Sequence, residues 1–117
     1  MDKLFLNMEN EVLHQLLLNY PVLLSQLENA SIIKRTFTGV GFYTDFYIDE
    51  KATGDDMHIH GAGCILNVSI HIGFILFVEK GQISQLEGYT YGFEHWPETI
   101  QSYEVFEEKY VEGSTLE

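Results

Sequence analysis

The hydrophobic pattern of the chain changes period once. Phe5, Met8, Val12, Leu13, Leu16, Leu17 and Tyr20 recur at three- and four-residue spacing, which sets them on one stripe of a helix over residues 4–19. Pro21 interrupts that run and suits the first turn of a second, short helix ending at Leu27 or Glu28, since a first-turn proline gives up no helical hydrogen bond. From Ser31 onward β-branched and aromatic residues dominate. Residues 32–38 and 42–48 read as strands joined by a bend at Gly39-Val40-Gly41, and the polar stretch 49–56 as a loop. Residues 57–60 read as a short strand that Gly61-Ala62-Gly63 breaks, and residues 64–71 as the next strand. Gly73 separates it from residues 74–78, which are apolar at every position, as in a central strand covered on both faces. The segment around Trp96 is the expected cover of the second face. Glu79-Lys80-Gly81-Gln82 predicts a hairpin turn, with residues 83–91 returning from it and Gly88 as a bulge. Residues 102–111 read as a last strand.

These elements predict an α+β fold, a helical pair (1–29) packed on a mostly antiparallel sheet of five or six strands (31–111), with a tail over 112–117. A chain of 117 residues is enough for one domain with its own core. The lone Cys64 makes no intramolecular disulfide. Acidic residues precede any apolar run at the start, unlike a signal peptide, and no run approaches the ~18 apolar residues of a membrane span. A cytoplasmic protein is the expectation, and Leu116-Glu117 reads as a cloning remnant.

Charge narrows the function classes. Eighteen acids against six Lys and Arg give a net charge of −12. Such a field repels phosphate backbones, which argues against nucleic acid as a partner, and attracts basic proteins. One acidic group comprises Asp45, Asp49, Glu50, Asp55 and Asp56, and between Glu94 and Glu117 seven acids stand against one base, Lys109. Aromatic residues crowd the same half of the chain. Aromatics anchor protein interfaces and acids steer the encounter, although most aromatics belong in a core. Tyr89, Tyr91 and Tyr103 are the first expected to be exposed together. The predicted partner-binding set is Asp45, Asp49, Tyr89, Tyr91, Glu94, Trp96, Glu98, Tyr103, Glu104, Glu107 and Glu108.

Catalytic signatures are missing from the sequence. Gly39-Val40-Gly41 and Gly61-Ala62-Gly63 lack the third Gly or the Lys-Ser of a phosphate cradle. Cys64 sits in an apolar stretch and reads as a packing residue rather than a nucleophile. The sharpest pattern is His58-Ile59-His60, which projects two imidazoles from one strand face. With Cys64 and His71 these make an alternative site for zinc or a similar divalent transition metal.

Two stretches carry a resemblance. Thr36-Phe37-Thr38-Gly39-Val40-Gly41-Phe42-Tyr43-Thr44-Asp45-Phe46 is one. The other is Gly73-Phe74-Ile75-Leu76-Phe77-Val78-Glu79-Lys80-Gly81, continuing through Leu86-Glu87-Gly88-Tyr89-Thr90-Tyr91-Gly92 to Trp96-Pro97. They resemble a group of small bacterial proteins without assigned function, which implies a bacterial origin and supplies no catalytic residue.

The expected function is therefore a non-enzymatic, cofactor-free protein-binding module with an acidic, aromatic surface. Its most concrete form is an immunity or antitoxin protein that neutralises a basic toxin. The alternative is a small-ligand or metal-binding protein, or an enzyme, organised around His58, His60, Cys64 and His71. A third expectation is a homodimer formed through an exposed strand edge.

Overall fold

A computed structural model describes residues 3–92, 94–107 and 110–113, with 112 and 113 by backbone alone. Helix α1 (Lys3–Leu16) buries Phe5, Met8, Val12, Leu13 and Leu16, the stripe that the sequence pattern predicts. It stops three residues short of the predicted end. Leu17 stays fully buried, its N–H donating to the Leu13 carbonyl at 3.1 Å in the turn towards α2 (Pro21–Gln26).

Among the described residues seven strands follow: β1 (Ser31–Phe37), β2 (Gly41–Tyr47), β3 (Met57–Ile65), β4 (Ile70–Glu79), β5 (Gln82–Thr90), β6 (Tyr103–Val105) and β7 (Tyr110–Gly113). They form one antiparallel sheet in the order β1-β2-β5-β4-β3-β6, with β7 also paired to β3. The last predicted strand is thus two short ones. β6 pairs with Gly63–Ile65 and β7 with Met57–His60, which closes the outer edge of β3.

Three glycines were expected to interrupt strands, and the structure corrects each. β3 runs unbroken through Gly61-Ala62-Gly63, and β4 through Gly73. A Cβ at Gly63 would meet the Glu104 carbonyl oxygen of β6 at 2.5 Å, and one at Gly73 would run into the Tyr89 ring. Glycine marks close approach here, not a break. The reversal instead falls inside the expected strand 64–71, at a 3₁₀ turn (Leu66–Val68) followed by Ser69 at φ 54°. Asn67 secures that turn, its Oδ1 accepting from the N–H groups of Gln101 and Ser102 at 3.1 and 3.3 Å. The β4–β5 turn forms as predicted, with Lys80 (φ 52°) and Gly81 (φ 76°) both left-handed, as a type I′ hairpin requires. The irregularity in that ladder lies between Phe77 and Val78 rather than at Gly88.

The helices cover one face of the sheet. Phe42, Thr44, Ile59, Ile72, Phe74, Leu76, Val78 and Leu86 point into this core. Trp96 packs here too, its ring centroid 6.5 Å from Phe5 and 5.3 Å from Phe42. It therefore does not cover the second face, contrary to expectation. Ile75 and Phe77 on that second face are only half-buried. The apolar run 74–78 arises because β4 is central in the sheet, flanked by β3 and β5, and its outward side chains are screened by neighbours within the sheet.

Candidate functional site

Alternation along the strands and the pairing register together define the uncovered face. One row crosses the sheet through Thr36, Tyr43, Glu87, Ile75, His60 and Tyr110, each paired with the next. A parallel row runs through Lys34, Asp45, Gln85, Phe77 and His58. A third contains Gly41, Tyr89, Gly73 and Ala62.

Side chains in these rows hold one another. The Tyr43 hydroxyl donates to Glu87 Oε2 at 3.0 Å, and Gln85 Nε2 donates to Asp45 Oδ1 at 2.7 Å. The His60 ring stacks on Tyr110, centroids 4.3 Å apart and planes 11° apart, and His58 meets Phe77 edge-on at 4.7 Å. Tyr89 lies across Gly73 and meets Tyr91 at 5.7 Å. Tyr91 and Tyr110 are 55% and 61% exposed, so large aromatic area faces solvent here.

The electrostatics of this face favour protonated phenols. The hydrogen bond that Tyr43 donates to Glu87 raises its pKa above 10.0, with burial and the carboxylate charge adding to it. Burial raises that of Tyr89, reinforced by Tyr91, Tyr110 and Glu87. Tyr43 pairs with Glu87 across the strands, Tyr89 stands two positions on along β5 and Tyr91 meets it, so these three tyrosines and Glu87 form one patch.

The predicted partner-binding residues divide between locations. Asp45, Tyr89 and Tyr91 share the uncovered face, and Glu104 pairs with Cys64 at its margin. Asp49 is exposed just beyond β2 and accepts from the Tyr47 hydroxyl at 3.4 Å. Tyr103 stands on the helix side, half-buried, donating to Glu11 Oε1 at 3.2 Å, and burial raises its pKa, as does that bond. Trp96 and Glu98 line a pocket on the helix side. Glu94 turns its carboxylate back onto the Gly92 N–H at 3.0 Å. The Glu107 side chain is exposed, and Glu108 lies outside the described residues, as do 114–117. Pattern reasoning singled out neither Tyr43, Glu87 nor Tyr110 as a site residue. Alternation within β2 and β5 carries the signal for the first two.

The histidines and Cys64 are less convergent. His58 and His60 sit two residues apart on one face of β3, but Cys64 is six positions from His58, about 20 Å along a strand. His71 pairs with Cys64, and Cys64 is buried. No group of three or more metal-ligating side chains converges among the described residues. No helix is long and apolar enough to cross a membrane among those residues.

No family model, curated protein or solved structure is similar to this chain at a significant level.

Proposed function

We propose that the protein is a binding module whose uncovered sheet face engages a basic protein partner. The observation that carries this reading is the cluster of Tyr43, Tyr89 and Tyr91 around Glu87, with Tyr110 three strand steps along the same row, on a face that no second layer covers among the described residues. Tyrosines supply rigid contact area at small entropic cost, and carboxylates among them select for cationic side chains. The net charge of −12 adds long-range attraction to a basic surface. In its most specific form the module is an immunity protein that blocks a basic toxin, such as a nuclease whose substrate groove must be cationic.

The test is capture from source-cell lysate on immobilised protein, with wild type and a Tyr89→Ala, Tyr110→Ala variant side by side. A basic protein retained stoichiometrically by wild type, released as salt rises and lost from the variant is the expected result. Equal retention by the variant removes the sheet face from the interaction. Retention that ignores salt removes the electrostatic part.

A further inference from the structure

The helix side of the sheet also carries a cavity, which shares none of the tyrosines of the open face. A pocket of about 260 Å³ opens between α1, the end of β1 and the segment that follows β5, lined by Phe5, Phe37, Gly39, Trp96, Pro97, Glu98 and Ile100. Its floor is core, since Phe5 and Ile100 are 3% and 1% exposed. Its walls are Phe37, which is half-exposed, and the half-buried Trp96.

The wall is fixed in place. The backbone N–H of Trp96 donates to the Gly39 carbonyl at 2.7 Å, and the Thr90 hydroxyl donates to the Glu94 carbonyl at 2.8 Å. Trp96 meets Phe42 at 70°, and Phe5 meets Phe37 at 55° with centroids 5.5 Å apart. Gly39 (φ 91°) has nothing within 4 Å of where a Cβ would stand, so that side of the mouth is open.

Among the described residues, three aromatic rings and one carboxylate line this pocket, and no Lys or Arg does. We infer that the pocket binds an organic cation, an alkylammonium or guanidinium group, between the Trp96 and Phe37 rings with Glu98 at the rim. Aromatic faces attract cations through the ring quadrupole, Trp most strongly, and partial desolvation enhances the effect. An apolar floor accepts the methyl or methylene groups of such a cation. Glu98 is the only charged liner among the described residues, and its sign is complementary. The volume falls just below the ~300–1,000 Å³ typical of drug-sized ligand pockets, which suits one small head group or one side chain.

Trp96 is the only tryptophan in the chain, so its fluorescence reports on this pocket alone. The probes are choline, its neutral carbon isostere 3,3-dimethylbutan-1-ol, and the dipeptide-like N-acetyl-arginine amide. Choline is expected to change the emission saturably, with the isostere about tenfold weaker or worse. Glu98→Gln is expected to weaken choline several-fold while leaving the isostere unchanged. Glu98 is exposed, so this variant tests charge without disturbing the core. Preference for choline over the arginine derivative identifies a free quaternary amine as the ligand, and the reverse identifies a side chain. Equal binding of choline and its isostere, or no saturable response to either cation, overturns the inference. A failed capture experiment on the open face leaves this result untouched, because none of these probes reports on that face.

Discussion

Glu9 of α1 receives two hydrogen bonds from the guanidinium of Arg35, Nη2 at 2.6 Å from Oε1 and Nε at 3.1 Å from Oε2. The Thr44 hydroxyl donates to Oε2 at 2.5 Å. Glu9 is 4% exposed, so the pair ties the helix to β1 and β2 from inside the core layer. A bidentate Arg–carboxylate pair fixes geometry as well as charge. Removing one partner strands the other. Arg35→Ala is expected to cost about 3–5 kcal/mol, read as a fall in the urea midpoint. A Glu9→Met, Arg35→Met, Thr44→Val triple variant should recover most of that loss, because it buries neither a charge nor the Thr44 hydroxyl without its acceptor. A triple variant as unstable as Arg35→Ala would show that the stranded charge is not the cause.

That pair also marks what pattern reasoning can read and what it cannot. The stripe of α1, the helix-opening Pro21 and the Lys80-Gly81 hairpin were legible because each depends on local geometry. Glu9 falls within the apolar stripe beside Met8 and Val12, and a carboxylate there demands a buried cation. The sequence does not say which base meets it, 26 positions away. Gly61, Gly63 and Gly73 resemble breaks in sequence because the neighbour that needs their bare Cα lies on another strand or helix. The open face was half legible for the same reason. Alternation predicts that Tyr89 and Tyr91 share a side, whereas Tyr43 and Tyr110 join them only through the strand order β2-β5-β4-β3 and the pairing of β7 with β3.

Gln26 joins α2 to the hairpin between β4 and β5. Its Nε2 donates to the Gly81 carbonyl at 2.9 Å, and its Oε1 accepts from the Ile83 N–H at 3.0 Å. The residue is buried, so water is poorly placed to replace the amide. Gln26→Ala leaves a buried N–H unsatisfied and should cost about 1–3 kcal/mol. Gln26→Glu should also destabilise, since it retains the acceptor for Ile83 but loses the donor to Gly81. Amide exchange at Ile83 in the alanine variant gives a local check, and unchanged protection there would exclude this bond as the source.

Gly63 holds β6 against β3. A Cβ at this position would contact the Glu104 carbonyl oxygen and come within 3.3 Å of the Phe74 ring. Neither the β6 backbone nor a ring that is 1% exposed moves easily. Gly63→Ala is therefore expected to separate β6 from the sheet at a cost of about 1–3 kcal/mol. Hydrogen exchange should then accelerate across residues 103–105 while β4 and β5 keep their protection. Uniform acceleration over the whole sheet would mean that β6 and the core unfold together.

Tyr43, Tyr89 and Tyr103 all have pKa values raised above 10.0 in the folded protein. The leading causes are the hydrogen bond to Glu87 for Tyr43 and burial for the other two. The folded state holds these protons more tightly than the unfolded chain, in which they leave near pH 10.0. Below that pH both states are protonated and the contribution is complete. As pH rises through 10.0 towards the folded-state values, only the unfolded chain releases protons, so stability falls. Urea midpoints should be flat in this respect around neutrality and decline above pH 10. Replacing all three tyrosines by phenylalanine removes the groups that titrate and should flatten the decline, whatever it does to stability at neutral pH. An identical alkaline slope in the triple variant would assign the loss to other groups, and the protonated state of the Tyr43–Glu87 bond would then not be a source of stability.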